Sequence, residues 1–268
     1  MAITTLDGVI AGARPPEDIY KVGTAPEAAG QFFSYFYSAG RPGAAAAPTP
    51  GLAGETLTSY AGQIPWTNPV SGNSYLMRFG GSATQAGKII LLDRLWHNSG
   101  IVVTTTTAQT INSVAWPPRS ADGTSNGECV MVAIEVRTAT TNASAITNTT
   151  MSYTNQAGAS DKIATIDSFP ATAVAGTFVQ FRLAAGDTGV RSIQSITLGT
   201  SYAGGAIHLV AYREIVEVPM PLANAGWYVD TVTSGFPRLF DNSVLFIVWH
   251  AVSTTAVNFD GSFVYTQG

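Results

Sequence analysis

The sequence predicts an all-β protein: a jelly-roll-like β-sandwich with a short helical N-terminal segment and an extended Pro/Gly/Ala-rich arm. Three observations lead there. From Asn73 onward, runs rich in Val, Ile, Thr and aromatic residues recur, separated by turn signals such as Asp122-Gly123, Gly186-Asp187 and Asp260-Gly261. No helical period lies between those runs, and no stretch repeats at a fixed interval, which disfavours propellers and solenoids. Helix punctuation is confined to the first forty residues.

A first short helix is expected around Leu6, Val9 and Ile10, ended by Arg14-Pro15-Pro16. A second is bracketed by Thr24-Ala25-Pro26-Glu27, which has the form of a capping box, and by Gly40 and Pro42. It would contain Phe32-Phe33-Ser34-Tyr35-Phe36-Tyr37, five aromatics in six positions. On a helix these cover nearly the whole circumference and need cover on more than one side. The β domain or a neighbouring subunit could supply it, so Phe32, Phe33, Tyr35, Phe36 and Tyr37 are the candidate interface residues. Residues 40–69 hold four clustered alanines, several prolines and only two charges, Arg41 and Glu55. They read as an extended arm, draped over a neighbour or hugging its own domain. The expected division is therefore 1–69, helical segment and arm, and 70–268, β-sandwich.

Ten strands are expected, over 75–79, 88–96, 101–107, 130–138, 149–153, 178–183, 192–198, 206–218, 244–250 and 259–265. The neutral stretches 116–128, 138–148 and 155–175 read as long loops, where partner contacts commonly sit.

Composition narrows the function. Of 268 residues, 46% are hydrophobic and only 11% charged, well below the roughly 25% of ordinary soluble domains. Like-charge repulsion that keeps monomers apart is weak on such a surface, which suits an assembling protein. The net charge is −4 and the 13 basic residues are scattered, so nucleic acid is not an expected partner. No basic n-region precedes an apolar stretch, and the longest apolar run, Val244 to Trp249, is too short to span a bilayer. Neither secretion nor a membrane partner is expected. The single cysteine, Cys129, precedes an apolar run and reads as a buried, inert thiol.

Motifs with chemical content each meet a simpler reading. Asp187-Thr188-Gly189 matches the aspartic-protease tripeptide but has no second copy and follows Ala184-Ala185-Gly186, so a turn is preferred. The glycine-rich run Gly80 to Lys88 misses phosphate-loop spacing by one residue and leads into a strand; it reads as a hairpin. Gly199-Thr200-Ser201-Tyr202-Ala203 approximates a nucleophile elbow but also leads into a strand. His97, His208 and His250 lack metal-ligand spacing; His97 is expected to end a strand, and His208 and His250 read as hydrogen-bonded structural groups. The glycosylation-like triplets at Asn142 and Asn148 are expected by chance in a Thr-rich chain. Trp66, Trp116, Trp227 and Tyr228 adjoin Pro or Gly, and could bind sugars from loops or cap the rim of a sandwich. No catalytic residue, metal site or cofactor is expected.

Several segments resemble a family of uncharacterised structural proteins of tailed bacteriophages, over the whole chain. They are Thr5-Leu6-Asp7-Gly8-Val9-Ile10-Ala11-Gly12 with Arg14-Pro15-Pro16, and Asp93-Arg94-Leu95-Trp96-His97-Asn98-Ser99-Gly100. Asn112 to Pro117, Gly186 to Ser192 and the ending Val264-Tyr265-Thr266-Gln267-Gly268 complete the set. The resemblance implies a virion component made in the host bacterial cytoplasm, associated with the head or neck. The expected function is a capsid decoration or cement protein, self-associating as a trimer and docking on other virion proteins such as the major capsid protein. Another virion position (tail, neck or major shell) and a glycan- or receptor-binding β-sandwich module are the alternatives.

Overall fold

The computed structural model describes every residue except Met1, Ala2, Thr4 and Ala25. The chain is almost entirely β, with 41% strand and 4% helix. In order the elements are α1 (Leu6–Ala11), β1 (Glu17–Lys21), β2 (Phe32–Ser34), β3 (Gly40–Arg41), β4 (Glu55–Thr56), β5 (Ser74–Ala83), β6 (Gly87–His97) and β7 (Gln109–Thr110). Next come β8 (Val130–Thr138), β9 (Thr150–Asn155), β10 (Lys162–Thr165), β11 (Thr177–Gln180), β12 (Val190–Thr197) and β13 (Ala206–Met220). The last are β14 (Trp227–Asp230), α2 (Thr231–Ser234), β15 (Arg238–Leu239), β16 (Leu245–Ala251) and β17 (Phe259–Gln267).

The chain forms two compact units, and their membership does not follow a 69/70 boundary. Unit 1 comprises Met1–Ala45, Ser59–Asp93 and Glu214–Gly268; unit 2 comprises Ala46–Thr58 and Arg94–Arg213. The division falls inside β6 and β13, two of the longest strands. Residues 40–69 are not a free arm, because they contribute Ala45 and Ile64 to the interior of unit 1 and Leu57 to that of unit 2.

Unit 1 holds a six-stranded sheet ordered β14-β5-β17-β1-β3, with β15 also paired to β5. The β5–β17 pairing runs from Phe259↔Ala83 to Gln267↔Ser74 with one register shift. A second group in this unit pairs β16 with β6 and with β2. The glycine-rich run Gly80–Lys88 is therefore no hairpin, since β5 and β6 belong to different sheets. The short helix α1 forms as expected: the Thr5 hydroxyl accepts from the Gly8 amide at 3.1 Å, and Val9 is buried while Leu6 and Ile10 face out.

The second expected helix does not form. Phe32–Ser34 is strand β2, with Phe33 opposite Trp249 and Ser34 opposite Val248. Aromatic residues favour a pleated, packed environment, and the apolar strand β16 offers cross-strand partners that no isolated helix could. The box residue Glu27 is bound elsewhere: it is buried, and its Oε1 accepts the Val257 amide at 3.0 Å. Ala25, the box's second residue, lies outside the described residues. Lys21 completes this corner. Its buried ammonium donates to the Ser38, Pro42 and Gly43 carbonyls at 3.2, 2.7 and 3.4 Å, so the turn after the aromatics is held against β1.

Unit 2 packs the sheet β10-β9-β12-β7 with the pairs β13–β8 and β8–β11 around one apolar core. Trp96 and Trp116 meet at 5.3 Å, and Phe169 stacks on Tyr202 at 4.2 Å within it. The expected strand over 101–107 is absent, although Ile101 and Val103 still bury their side chains. Conversely, β10 lies inside a stretch that reads as loop; it pairs with β9 from Lys162↔Tyr153 to Thr165↔Thr150.

These positions give a direct test. Phe36 is buried in unit 1, 5.6 Å from the Phe246 ring. Phe36→Ala is expected to lower the unfolding free energy by about 3–5 kcal/mol in urea titration. An aromatic held for a subunit contact would leave the isolated chain's stability unchanged.

Candidate functional site

Two arrangements of polar groups stand out, one buried in unit 2 and one open on unit 1. The buried one starts at Arg94, which follows the unit boundary on β6 and is wholly inaccessible. Its guanidinium donates to Glu135 Oε2 at 2.6 Å, both side chains having no exposure. Its Nε donates to His97 Nδ1 at 3.2 Å, which leaves the ring proton on Nε2, directed at Glu55 Oε1 2.9 Å away. That tautomer is neutral. Burial, then the Arg94 charge, holds His97 far down, at about 2, so no ion pair with Glu55 forms at neutral pH.

His208 faces Glu135 across the β13–β8 ladder. Its ring is buried and neither nitrogen has a hydrogen-bond partner, contrary to the expectation for a structural histidine. Burial lowers it to about 4, against a smaller upward pull from Glu135. Nearby, the buried Arg119 donates to the Leu57 and Arg94 carbonyls at 2.8 and 3.1 Å. Arg94, His97, Arg119, Glu135 and His208 are buried and Glu55 reaches the surface, so the interior of the cluster is suited to structure and not to binding.

The open arrangement lies on the outer face of the unit 1 sheet. A cleft of about 460 Å³ is lined by Asp18, Ser82, Asn224, Gly226, Tyr228, Asp260, Gly261 and Ser262. Register explains how residues so distant in sequence meet. Tyr228 pairs with Gly80, Gly80 with Ser262, and Ser262 with Asp18, so one row crosses four strands. Paired residues project to the same face, and Gly80 puts no side chain between Tyr228 and Ser262. The next outward row contains Ser82, Asp260 and Tyr20. Gly80 has φ +151°, and a Cβ there would come within 2.1 Å of the Trp227 carbonyl oxygen. Glycine is thus required for β14 to lie this close. Arg78 stacks over the Tyr228 ring at 5.3 Å, and Tyr228 remains 52% exposed.

The residues singled out from sequence are dispersed. Phe33, Tyr35 and Phe36 are buried inside unit 1, and Tyr35 donates its hydroxyl to the Val257 carbonyl at 2.7 Å. Phe32 and Tyr37 are half-buried; Phe32 lies 4.5 Å from the His250 ring. Cys129 is exposed, at φ +57° on the turn before β8, and not buried with the apolar run that follows it. Burial and the neighbouring Glu128 carboxylate raise its thiol above the ordinary value. Asp187 closes a turn, its amide donating to the Ala184 carbonyl. Its carboxylate accepts from Tyr153 and Asn155 at 2.5 and 2.7 Å, which lowers its pKa. Trp116 is buried with its indole N–H on the Val190 carbonyl, whereas Trp227 and Tyr228 are exposed. The cleft itself was missed, since only the pairing of β1, β5, β14 and β17 assembles it; the glycine pair Gly80-Gly81 was its one visible trace.

Among the described residues, no three His, Cys, Asp or Glu side chains converge as metal ligands do, and no helix is long and apolar enough to cross a membrane. No protein-family model, curated protein or solved structure matches the chain.

The buried cluster makes stability depend on pH. His208 is harder to protonate folded (about 4) than unfolded (about 6.5), so the unfolded chain takes up a proton first as pH falls. Its contribution is intact above about 6.5 and is lost progressively down to about 4. His208→Leu is expected to recover about 2–3 kcal/mol at pH 4.5 relative to pH 7.5, read as a flatter plot of unfolding free energy against pH. Glu135→Ala strands the Arg94 charge and is expected to cost about 3–5 kcal/mol at pH 7, measured by urea unfolding.

Proposed function

We propose that this chain is a structural subunit of a tailed-phage virion, acting as a capsid decoration protein that stabilises the head through subunit contacts. The finer architecture we assign to it is a jelly-roll-like β-sandwich. The observation that carries the reading is apolar surface on a chain with little charge to keep copies apart. Within unit 1, Leu222, Val232 and Trp227 are 61%, 80% and 40% exposed, with Phe236 close behind. Trp227 lies on the short strand β14 at one end of the six-stranded sheet, and the others lie on either side of it in sequence. On α1, Leu6 and Ile10 stand 72% and 59% exposed, one turn apart, while Val9 is buried. Large apolar side chains held out in this way mark contact surfaces.

This moves the proposed contact away from the aromatic run. Phe33, Tyr35 and Phe36 already fill the interior of unit 1, whereas α1 and the β14–α2 segment have uncovered apolar groups. The sequence resemblance to phage structural proteins supports the same reading. A decoration protein binds the assembled shell and not its free subunits, so by mass action it stabilises the shell. Specific contacts of this kind need on the order of 1,000 Å² or more of buried surface.

Mass spectrometry of virions from the encoding phage tests the proposal. Expected is a fixed stoichiometric copy number, with release of the chain lowering the temperature at which heads open. Ile10→Asp and Val232→Asp are expected to weaken self-association and head binding at least tenfold by sedimentation and co-pelleting, with the unfolding temperature unchanged. A monomer absent from particles overturns the reading. A copy number matching tail, neck or shell symmetry reassigns its position.

A further inference from the structure

We infer that the cleft on the outer face of the unit 1 sheet is a binding site for neutral carbohydrate, independent of the assembly role proposed above. Its volume, about 460 Å³, lies within the roughly 300–1,000 Å³ of small-molecule sites. Its lining departs from the usual apolar site: there is no aliphatic side chain, and the ring of Tyr228 is the one large apolar surface. An apolar ligand would gain little there and would strip water from Asp18, Asp260, Ser82, Ser262 and Asn224 without replacing it.

A sugar meets both demands. Its hydroxyls donate to the carboxylates of Asp18 and Asp260, charge-assisted bonds stronger than those between neutral groups. The Ser82 and Ser262 hydroxyls and the Asn224 amide can both donate and accept, as hydroxyl-rich ligands require. The apolar C–H face of a pyranose packs on an aromatic ring, and Tyr228 is half exposed at the cleft wall. Gly80 matters here because any side chain between Tyr228 and Ser262 would fill the hollow.

The same groups exclude competing ligands. The Asp18 and Asp260 carboxylates disfavour phosphates, nucleotides and acidic sugars within the cleft, with Arg41 3.8 Å from Asp18 and Arg78 over the Tyr228 ring as the flanking cations. Among the described residues no third acidic group joins the two carboxylates, so the cleft lacks the acidic ligand set of a divalent-cation site. The ligand class left is an uncharged hexose or N-acetylhexosamine unit. Placed on loops, Trp116 would have been the obvious sugar platform, but it is buried; register brings Tyr228 to that role instead.

The test uses the full chain on an array of neutral and acidic oligosaccharides, followed by calorimetric titration with the strongest neutral hit. Expected is saturable binding to neutral glycans with a dissociation constant between micromolar and millimolar, and none to sialylated or sulfated ones. Tyr228→Ala and Asp260→Asn should each weaken it at least tenfold, with the unfolding temperature held within a few degrees. Ser262→Trp, which fills the cleft from a half-buried position, should abolish it. The inference is overturned if no neutral glycan binds at millimolar concentration, if acidic glycans bind better, or if binding survives both Tyr228→Ala and Ser262→Trp.

Discussion

The buried guanidinium of Arg94 is the constraint on which unit 2 turns. A chain with 13 basic residues in 268 places this one where water cannot reach it, so its donors must be met by protein. Glu135 on β8 neutralises it, His97 on β6 accepts from its Nε, and Glu55 on β4 takes the next proton in the series. Arg119 adds a second buried cation that ties Leu57 to the same stretch of β6. Segments 46–58, 94–97, 117–120 and 130–138 are thereby held in one arrangement, around which the apolar core closes. A hydrophobic replacement could match this in stability. Removal of either partner would leave the other's charge buried and uncompensated.

Unit 1 solves a different problem. Its central pairing, β5 with β17, brings together segments almost two hundred residues apart. Close approach depends on glycine at Gly80, Gly81 and Gly261, where a Cβ would run into neighbouring backbone. The absent side chain at Gly80 also leaves the outer face hollow between Tyr228 and Ser262. Tight strand packing and an open polar cleft thus have the same cause. The buried Lys21 and Glu27 settle the chain entry to this unit. Lys21, lowered to about 8 by burial, caps three carbonyls, and Glu27, raised to about 7 by burial, binds the Val257 amide.

Apolar contact surface and polar cleft coexist within unit 1. The exposed Leu222, Val232 and Phe236 belong to a segment held by the β14–β5 pairing and by a local cap, in which Asp230 accepts from the Val232 and Thr233 amides at the start of α2. Tyr228 and Trp227, adjacent on β14, project to opposite faces, which lets one strand serve the cleft and the apolar surface separately.

The β character, the low charge and most strand positions were legible from residues alone. Val130–Thr138 matches its expected bounds, because alternation and β-branched content act locally. The aromatic run at 32–37 misled because its flanks carry helix punctuation, whereas its conformation is decided by β16, more than two hundred residues away. Cys129 misled for a related reason: a positive φ one residue before a buried strand turns it outward. The division within β6 and β13, and the meeting of Asp18, Ser82, Tyr228 and Asp260, follow from strand pairing across the whole chain. Local patterning therefore determined which residues become strands. Only the tertiary structure decided which strands lie side by side, because backbone hydrogen bonds carry no record of sequence and many registers satisfy them equally.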